Sequence, residues 1–482
     1  MSDRAGIKIS RKSFFSSMGI LLFLMVLVGV LTKTIPAGVY QRVITDGRET
    51  IVPGSFRLAG TVDYPIYRWF LAPLEVLRGS DSAMIIVIIL FLLFIGSAFT
   101  LLDGSGILRY MMETLVSRFS KKKYLLMGAL ILFFMLFGAL FGIFEELIVL
   151  VPLAIALSYS FGWDSLVGLG FSAMASGFGF AAAIFNPFTL GVAQTLAGLP
   201  PYSGTAFRVL IFITLYLMLY GFLAFYARRI EKNPERSSVY NEDREARRRY
   251  QFLEEDSLLG KSEVGKAAKI FGGFMGGILL LILLGFFVPA LSSVTLPLVA
   301  VIFLTGGIVS ALTSGYAPGK LLKNLFAGFL GMLPAVVLIL MAMSIKHIMT
   351  EGKVMDSILY YTSGRLADLG ANEAVAGLFF LILFLDFFIG SGSAKAFLVM
   401  PILLPLTDMV GLTRQTAVLA FCFGDGFSNL MFPTNPTLMI ALGLTVVSYP
   451  KWMRWSLKFQ AAVFIVALGF LFLANRMAYG PF

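Results

Sequence analysis

GFGFAAAIFNPFTL (177–190) and DGFSNLMFPTNPTLM (425–439) each carry an Asn-Pro pair inside sequence apolar enough to cross a bilayer. In hydrocarbon a backbone N–H or C=O without a partner is costly, so a polar kink at that depth needs a purpose. Asparagine caps a helix through its side-chain oxygen. Proline suits the first helical position, where its missing N–H would be unpaired anyway. Asn186-Pro187 and Asn435-Pro436 therefore read as points where one half-helix stops and another starts. Two such breaks, one in each half of a membrane protein, point to a substrate site near mid-membrane.

Composition agrees. Of 482 residues, 58% are hydrophobic and 13% charged, against ~25% charged in a soluble chain. Mean hydropathy is +0.88, and repeated stretches of roughly 20 apolar residues match the hydrocarbon core. The fold class is an all-α polytopic membrane protein, with the lipid bilayer as its solvent. The net charge of +11 gathers beside the ends of apolar segments, as the positive-inside rule expects; it marks topology and not a nucleic-acid partner. The single cysteine, Cys422, cannot form an intrachain disulfide, and no Cys/His cluster suggests a metal site. The first apolar stretch is too long for a signal-peptide core and reads as a retained span.

Arg4, Lys8, Arg11 and Lys12 place the N-terminus in the cytoplasm. Spans at 14–35 and 83–103 flank an external stretch, 36–80, in which PIYRWFLAPLEVLRG (65–79) suggests an interfacial helix with Tyr67 and Trp69 at headgroup level. Residues 124–160 are apolar at both ends and interrupted at Glu145-Glu146. Two full spans or one re-entrant hairpin would each return the chain to the same side. The hairpin is favoured: the returning arm, 146–160, reaches about 22 Å at 1.5 Å per residue, short of the roughly 30 Å core. A broken span (164–199) and a further span (206–227) complete a first repeat, 1–227. A polar cytoplasmic linker, 228–268, follows.

A span at 269–289 reverses the orientation of what comes next. The second repeat, 294–482, holds spans at 294–313 and 328–349 and a second hairpin at 373–410. It then has a broken span at 413–443 and a last span ending outside near Arg476. The expectation is about nine transmembrane helices plus two re-entrant hairpins and two discontinuous helices. An offset of 249 residues aligns Pro152 with Pro401, Gly162 with Gly411, Gly177-Phe178 with Gly426-Phe427, and Asn186-Pro187 with Asn435-Pro436. Inverted repeats with discontinuous helices are the mark of secondary transporters.

FGIFEELIVLVPLAIAL (141–157) followed by FNPFTLGVAQTLAGLP (185–200), then GSGSAKAFLVMPILLPL (390–406) followed by FGDGFSNLMFPTNPTLM (423–439), resembles the C4-dicarboxylate anaerobic carrier family, DcuC/YfcC-type, of the ion transporter superfamily. The resemblance covers nearly the whole chain. It implies a homodimer in a bacterial inner (plasma) membrane, with a scaffold domain and a transport domain built from both hairpins and both broken helices. It also implies elevator-like movement. In relatives, Ser-Asn-Thr signatures at tips and breaks bind sodium and the substrate carboxylate. This chain departs from them with Glu145-Glu146 on the first tip and Lys395 on the second. Members of this branch include dicarboxylate carriers and basic amino acid exchangers.

Half-helix N-termini carry partial positive charge and free N–H donors suited to a carboxylate. Four should converge: after Glu145, Asn186, Ser391/Ser393 and Asn435. Asn186, Thr189, Ser391, Ser393, Asn435 and Thr437 add side-chain hydrogen bonds. Glu145 and Glu146 would receive a substrate ammonium or a coupling proton, or cap the half-helix behind them. Lys395 would neutralise a substrate carboxylate, pair with a glutamate of the first tip, or occupy the place of a coupling cation. Asp425 and Asp386 are further coupling candidates for Na+ or H+, and Asp386 is alternatively a buried partner of a basic residue. His347 is placed at the interface. GSGSAK lacks the spacing of a phosphate loop, no Walker motif occurs, and no cofactor or catalytic residue is expected.

The functional expectation is a secondary active transporter, not an enzyme, for a small carboxylate-bearing metabolite. An amino acid, basic ones included, is slightly favoured over a C4-dicarboxylate. A passive channel is the less favoured class.

Overall fold

The computed structural model describes residues 11–45, 48–60, 62–79, 82–244, 258, 262–288, 291, 294–366 and 369–480. Arg4 and Lys8, and most of the charge run in the 228–268 linker, lie outside the described residues. Ten of the described helices are long and apolar enough to cross a bilayer.

One set of long helices packs together: α1 (Arg11–Thr34), α3 (Ser82–Gly104), α11 (Ser262–Phe287), α12 (Thr295–Thr313) and α13 (Pro318–Glu351). α13 starts with Pro318 in its first turn and runs through Lys320 and Lys323, a stretch the sequence left outside the span. Between α1 and α3 lie two small antiparallel pairs, β1 (Gly38–Val39) with β4 (Arg57–Leu58) and β2 (Arg42–Thr45) with β3 (Arg48–Ile51). Asp356 of α14 (Met355–Leu366) holds them, accepting from the Tyr40 amide at 2.9 Å and from Arg42 Nη2 at 2.8 Å.

The amphipathic α2 (Ile66–Glu75) follows. Tyr67 is exposed, but Trp69 is buried, because Gly29 of α1 leaves room for the indole: a Cβ there would lie 2.6 Å from Trp69 Cε2 and closer still to Cδ2. Trp69 is thus a packing residue and not a headgroup anchor. His347 of α13 meets α2 through Glu75 Oε2, 3.2 Å from its Nε2.

The second set consists of two helix–turn–helix units, two interrupted helices, α10 (Thr205–Lys232) and α19 (Tyr449–Arg476); α4 (Ile107–Phe119) lies between the sets, against α3 and α11 of the first and the returning arm of the first unit. The first unit runs through α5 (Lys123–Leu136) and a wide turn to Phe141. It reverses at Gly142 (φ 65) and returns through a tight turn, Glu146–Leu150, into α6 (Val151–Ser160). The second unit joins α15 (Ala371–Asp386) to α16 (Gly392–Met409). The first interrupted helix comprises α7 (Ser165–Leu169) and α8 (Ala175–Ala182), then α9 (Val192–Leu196) beyond the break. The second comprises α17 (Arg414–Ser428) and α18 (Pro436–Gly443).

The core sits where the two interrupted helices cross. Phe178 meets Phe427 edge-on at 5.8 Å. A Cβ on Gly177 would lie 2.7 Å from Leu430 Cγ, and one on Gly426 would lie 2.5 Å from Ala181 Cβ. Neighbours this close have no room to move. Gly426→Ala is therefore expected to cost about 1–3 kcal/mol through overpacking, read as a lower melting temperature in detergent.

On the face opposite the strands, the linker docks onto the loop before α7. Asp243 accepts from the Ser165 amide at 2.7 Å, the Ser165 hydroxyl at 2.9 Å and the Tyr159 hydroxyl at 2.9 Å. Asp164, which caps α7, accepts from the Ser237 and Tyr226 hydroxyls at 2.7 Å each. Burial, and then the nearby Asp164 charge, push the Asp243 carboxyl up to about 7. A carboxyl raised in the folded state favours docking while protonated, and that contribution is lost as pH rises from its ordinary value towards 7. Amide exchange across 237–244 should therefore quicken, beyond its intrinsic pH dependence, between mildly acid and neutral buffer. In Asp243→Asn that excess should vanish.

Candidate functional site

Each helix break is built from its own sequence. Ala183 closes α8 in the left-handed region (φ 44), and the unwound Phe185 amide is taken by the Ala139 carbonyl of the first unit at 2.9 Å. Asn186 Oδ1 then accepts from the Phe188 and Thr189 amides at 2.9 and 3.2 Å, starting the next half-helix at Pro187. At the second break Asn435 Oδ1 accepts from the Leu438 amide at 3.1 Å. The carbonyls freed there are taken by α19: Leu430 O accepts from Trp452 Nε1 at 2.8 Å, and Met431 O from the Tyr449 hydroxyl at 2.8 Å. Unwound backbone is thus satisfied inside protein, as the membrane requires.

Both turns and the second break face one cavity of about 1010 Å³, which Phe188 of the first break also touches. Its wall includes Gly142–Glu146 from the first turn, Gly390–Ala394 from the second, and Asn429 and Thr434–Thr437 from the second break. The opposite wall comes from α3 and α13, through Ile85, Ile88, Met343, Lys346 and Met349. Arg42, Lys353 and Asp356 complete it on the strand-bearing side. The size suits a small metabolite.

Glu145 and Glu146 are both on the wall and half-buried, with the Thr437 side chain near Glu145. Glu146 also occupies the first turn of the returning arm, so it faces the positive end of that helix as well as the cavity. Ser391, Ser393, Asn435 and Thr437 share the wall. Ser391 is the cap of α16.

Asn186 and Thr189 stand one layer back. Asn186 is fully buried against Gly142, and its Nδ2 has no partner among the described residues. Lys395 is also off the wall. Its ammonium donates to Asp386 Oδ1 and, at 2.8 Å, to Asp425 Oδ1, and all three side chains are at most 1% exposed. Of the roles the sequence left open for Lys395, a partner on the first turn is replaced by two aspartates on its own side.

Sequence reasoning overlooked Asn429, Thr434 and the α13 face. A polar residue six positions before Asn435, and another directly before it, were the available signals. It also overlooked Arg208, which is fully buried near the start of α10. Arg208 donates to the Ser203 carbonyl, while Nε and Nη1 have no partner among the described residues. An ionisable residue inside an apolar span was the signal there.

A family model described as C4-dicarboxylate anaerobic carrier matches residues 14–476. The chain is 29% identical over 503 aligned positions to a protein of Escherichia coli K12 named "Putative basic amino acid antiporter YfcC", covering 95% of this chain and 96% of that one. It is 22% identical over 403 positions to an uncharacterised protein of Haemophilus influenzae, covering 81% and 75%. Among solved structures, the YdaH transporter of Alcanivorax borkumensis aligns with a TM-score of 0.41 at 16% identity, over 97% of this chain and 99% of that one. MtrF of Neisseria gonorrhoeae, linked in its description to a class of antimetabolite efflux pumps, aligns with a TM-score of 0.40 at 16% identity, over 94% of each.

Proposed function

The chain belongs to the C4-dicarboxylate anaerobic carrier family, and from that premise we propose a secondary active, elevator-type transporter of a small carboxylate-bearing solute. An amino acid, basic ones included, is slightly favoured over a C4-dicarboxylate. The observation that carries this reading is the cavity wall. Helix N-ends begin at Glu146, Ser391 and Asn435 around one space, and two glutamates stand on the same turn. The helix ends suit a carboxylate. Glu145 and Glu146 suit an ammonium or guanidinium, which a doubly anionic substrate lacks. The family description favours the dicarboxylate as the second reading, since several positive helix ends would also seat two carboxylates.

Elevator movement is supported by the division of packing into two sets of helices with the cavity between them. The inverted repeat gains support from the crossing of the interrupted helices. Phe178 meets Phe427, its own counterpart 249 residues on, and the contact of Gly177 with Leu430 is mirrored by that of their counterparts, Gly426 with Ala181. Such reciprocal contacts are what a two-fold relation between halves produces. The two short-armed units are then re-entrant hairpins, and the strand-bearing face, away from Lys121–Lys123 and Arg228-Arg229, is external. A homodimer completes the proposal.

Counterflow in liposomes tests it. Preloaded unlabelled arginine should drive saturable accumulation of labelled arginine or ornithine. Movement of succinate or fumarate, with every amino acid ignored, would transfer the assignment to the dicarboxylate. Ohmic single-channel current would place the protein among channels.

A further inference from the structure

We propose that this carrier is driven by protons, with Asp425 as the carboxylate that takes up the proton and Lys395 as a tethered cation that never leaves. The inference rests on the carrier reading above and names its coupling site.

Asp386, Lys395 and Asp425 form a closed cluster directly behind the second turn. Each is at most 1% exposed, and the Lys395 ammonium is shared between Oδ1 of the two aspartates. Two carboxylates against one ammonium leave one negative charge in excess. Oδ2 of Asp386 and Oδ2 of Asp425 are both buried with no partner among the described residues, and the Ser428 hydroxyl donates to the Asp425 main-chain carbonyl at 2.8 Å. Of the two, Asp425 Oδ2 is the one that lies behind the cavity wall at Gly392. A charge held so far from water calls for a counter-charge. The place between the aspartates is already filled by an ammonium fixed to the chain, so a dissociable metal cation is not needed there. A single proton on Asp425 Oδ2 makes the cluster neutral and turns a bare acceptor into a hydroxyl donor.

The position of Asp425 explains how the proton and the solute would feel one another. Gly392, the first residue of α16, belongs to the cavity wall. A Cβ on it would lie 2.8 Å from Asp425 Oδ2 and 2.7 Å from Thr189 Cγ2. One glycine therefore separates the solute space from the proton acceptor. The negative charge of Asp425 sits behind the positive helix end that receives a carboxylate, and it weakens that end. Proton uptake removes the charge and strengthens carboxylate binding; by reciprocity, a bound carboxylate raises proton affinity by the same factor. The proton comes from water on the open side, binds Asp425 Oδ2, and returns to water on the other side with the solute. Lys395 stays protonated throughout.

The cluster belongs to one half of the chain. At the 249-residue offset Lys395 corresponds to Glu146 and Asp425 to Ser176. A shared structural need of the two repeats would have placed such a cluster in both. Other ionisable groups near it are few. Cys422 lies one turn earlier on α17 and Arg208 on α10 beyond it, while Glu145 and Glu146 stand on the first turn, across the cavity. α8 and α9 carry no ionisable side chain, and the basic residues of α19 lie toward its two ends.

The test uses the purified full-length protein in sodium-free liposomes with an entrapped pH dye, offered labelled arginine or succinate. An inward proton gradient should accelerate uptake several-fold, and solute entry should acidify the lumen. A sodium gradient alone should do neither. In Asp425→Asn, which keeps a neutral Lys395–Asp386 pair and so should fold, surviving uptake should become indifferent to the proton gradient. Infrared difference spectra between acid and alkaline buffer need no solute. Because Asp243 is itself a buried carboxyl raised towards 7, all spectra are taken in the Asp243→Asn background, where a buried carboxylic-acid band should appear, persist on adding Glu145→Gln, and be absent on adding Asp425→Asn. If neither solute moves, the substrate assignment fails while the spectra still decide the proton site. Sodium-driven uptake indifferent to pH, or a band that persists in Asp425→Asn, overturns the proposal.

Discussion

Lys395→Ala is expected to lower stability by about 3–5 kcal/mol, the cost of breaking a buried ion pair by deleting one partner, and to leave uptake undetectable. The reason is geometric. The ammonium is the counter-charge of both Asp386 and Asp425, and none of the three reaches water. Removing it strands two carboxylates side by side. Restoring neutrality with Lys395→Met, Asp386→Asn and Asp425→Asn together should recover much of the melting temperature in detergent while uptake stays absent. Lys395→Arg should not rescue fully, because a planar guanidinium fork does not fit a site shaped for a compact ammonium. A Lys395→Ala protein that melts with the parent would show that the ammonium does not hold this cluster together.

Glu145→Gln should behave in the opposite way, losing transport with little loss of stability. Glu145 is half-buried on the cavity wall and the amide is isosteric, so the substitution disturbs little packing. Losing one charged hydrogen bond to a solute ammonium removes about 1.5–3 kcal/mol, which converts to roughly 10–100-fold in uptake efficiency. Labelled arginine should show this loss. Succinate uptake, if the carrier accepts it, should be unchanged or improved, because a negative charge has left the wall. Unaltered arginine uptake would reduce Glu145 to an aid for the returning half-helix.

Much of the architecture was legible because bilayer physics restricts the alternatives. Long apolar runs have to become helices, and the Asn-Pro pairs had to be caps, since asparagine satisfies the amides that proline leaves exposed to hydrocarbon. The short strands of 38–58 were not legible: their hydrogen bonds close through Asp356, some 300 residues away, and no local pattern announces that. Nor was the burial of Trp69, which follows from the missing side chain of Gly29 on another helix.

The site divides in the same way. That Glu145, Ser391, Asn435 and Thr437 would lie near one another could be argued from the two repeated blocks. Lys395 was the harder case, because a lysine on a turn next to exposed serines looks like part of the wall. One residue of helical rotation decides otherwise: Ala394 faces the cavity and Lys395 faces inward.

By itself, the amino-acid order determined the membrane class, the places where helices must stop, and the residue types available for a carboxylate. Each follows from local rules of chain geometry in a medium without water. Only the folded arrangement decided which acid answers which base. Charge pairing depends on distances between segments far apart along the chain, and the low-dielectric interior makes those distances matter most.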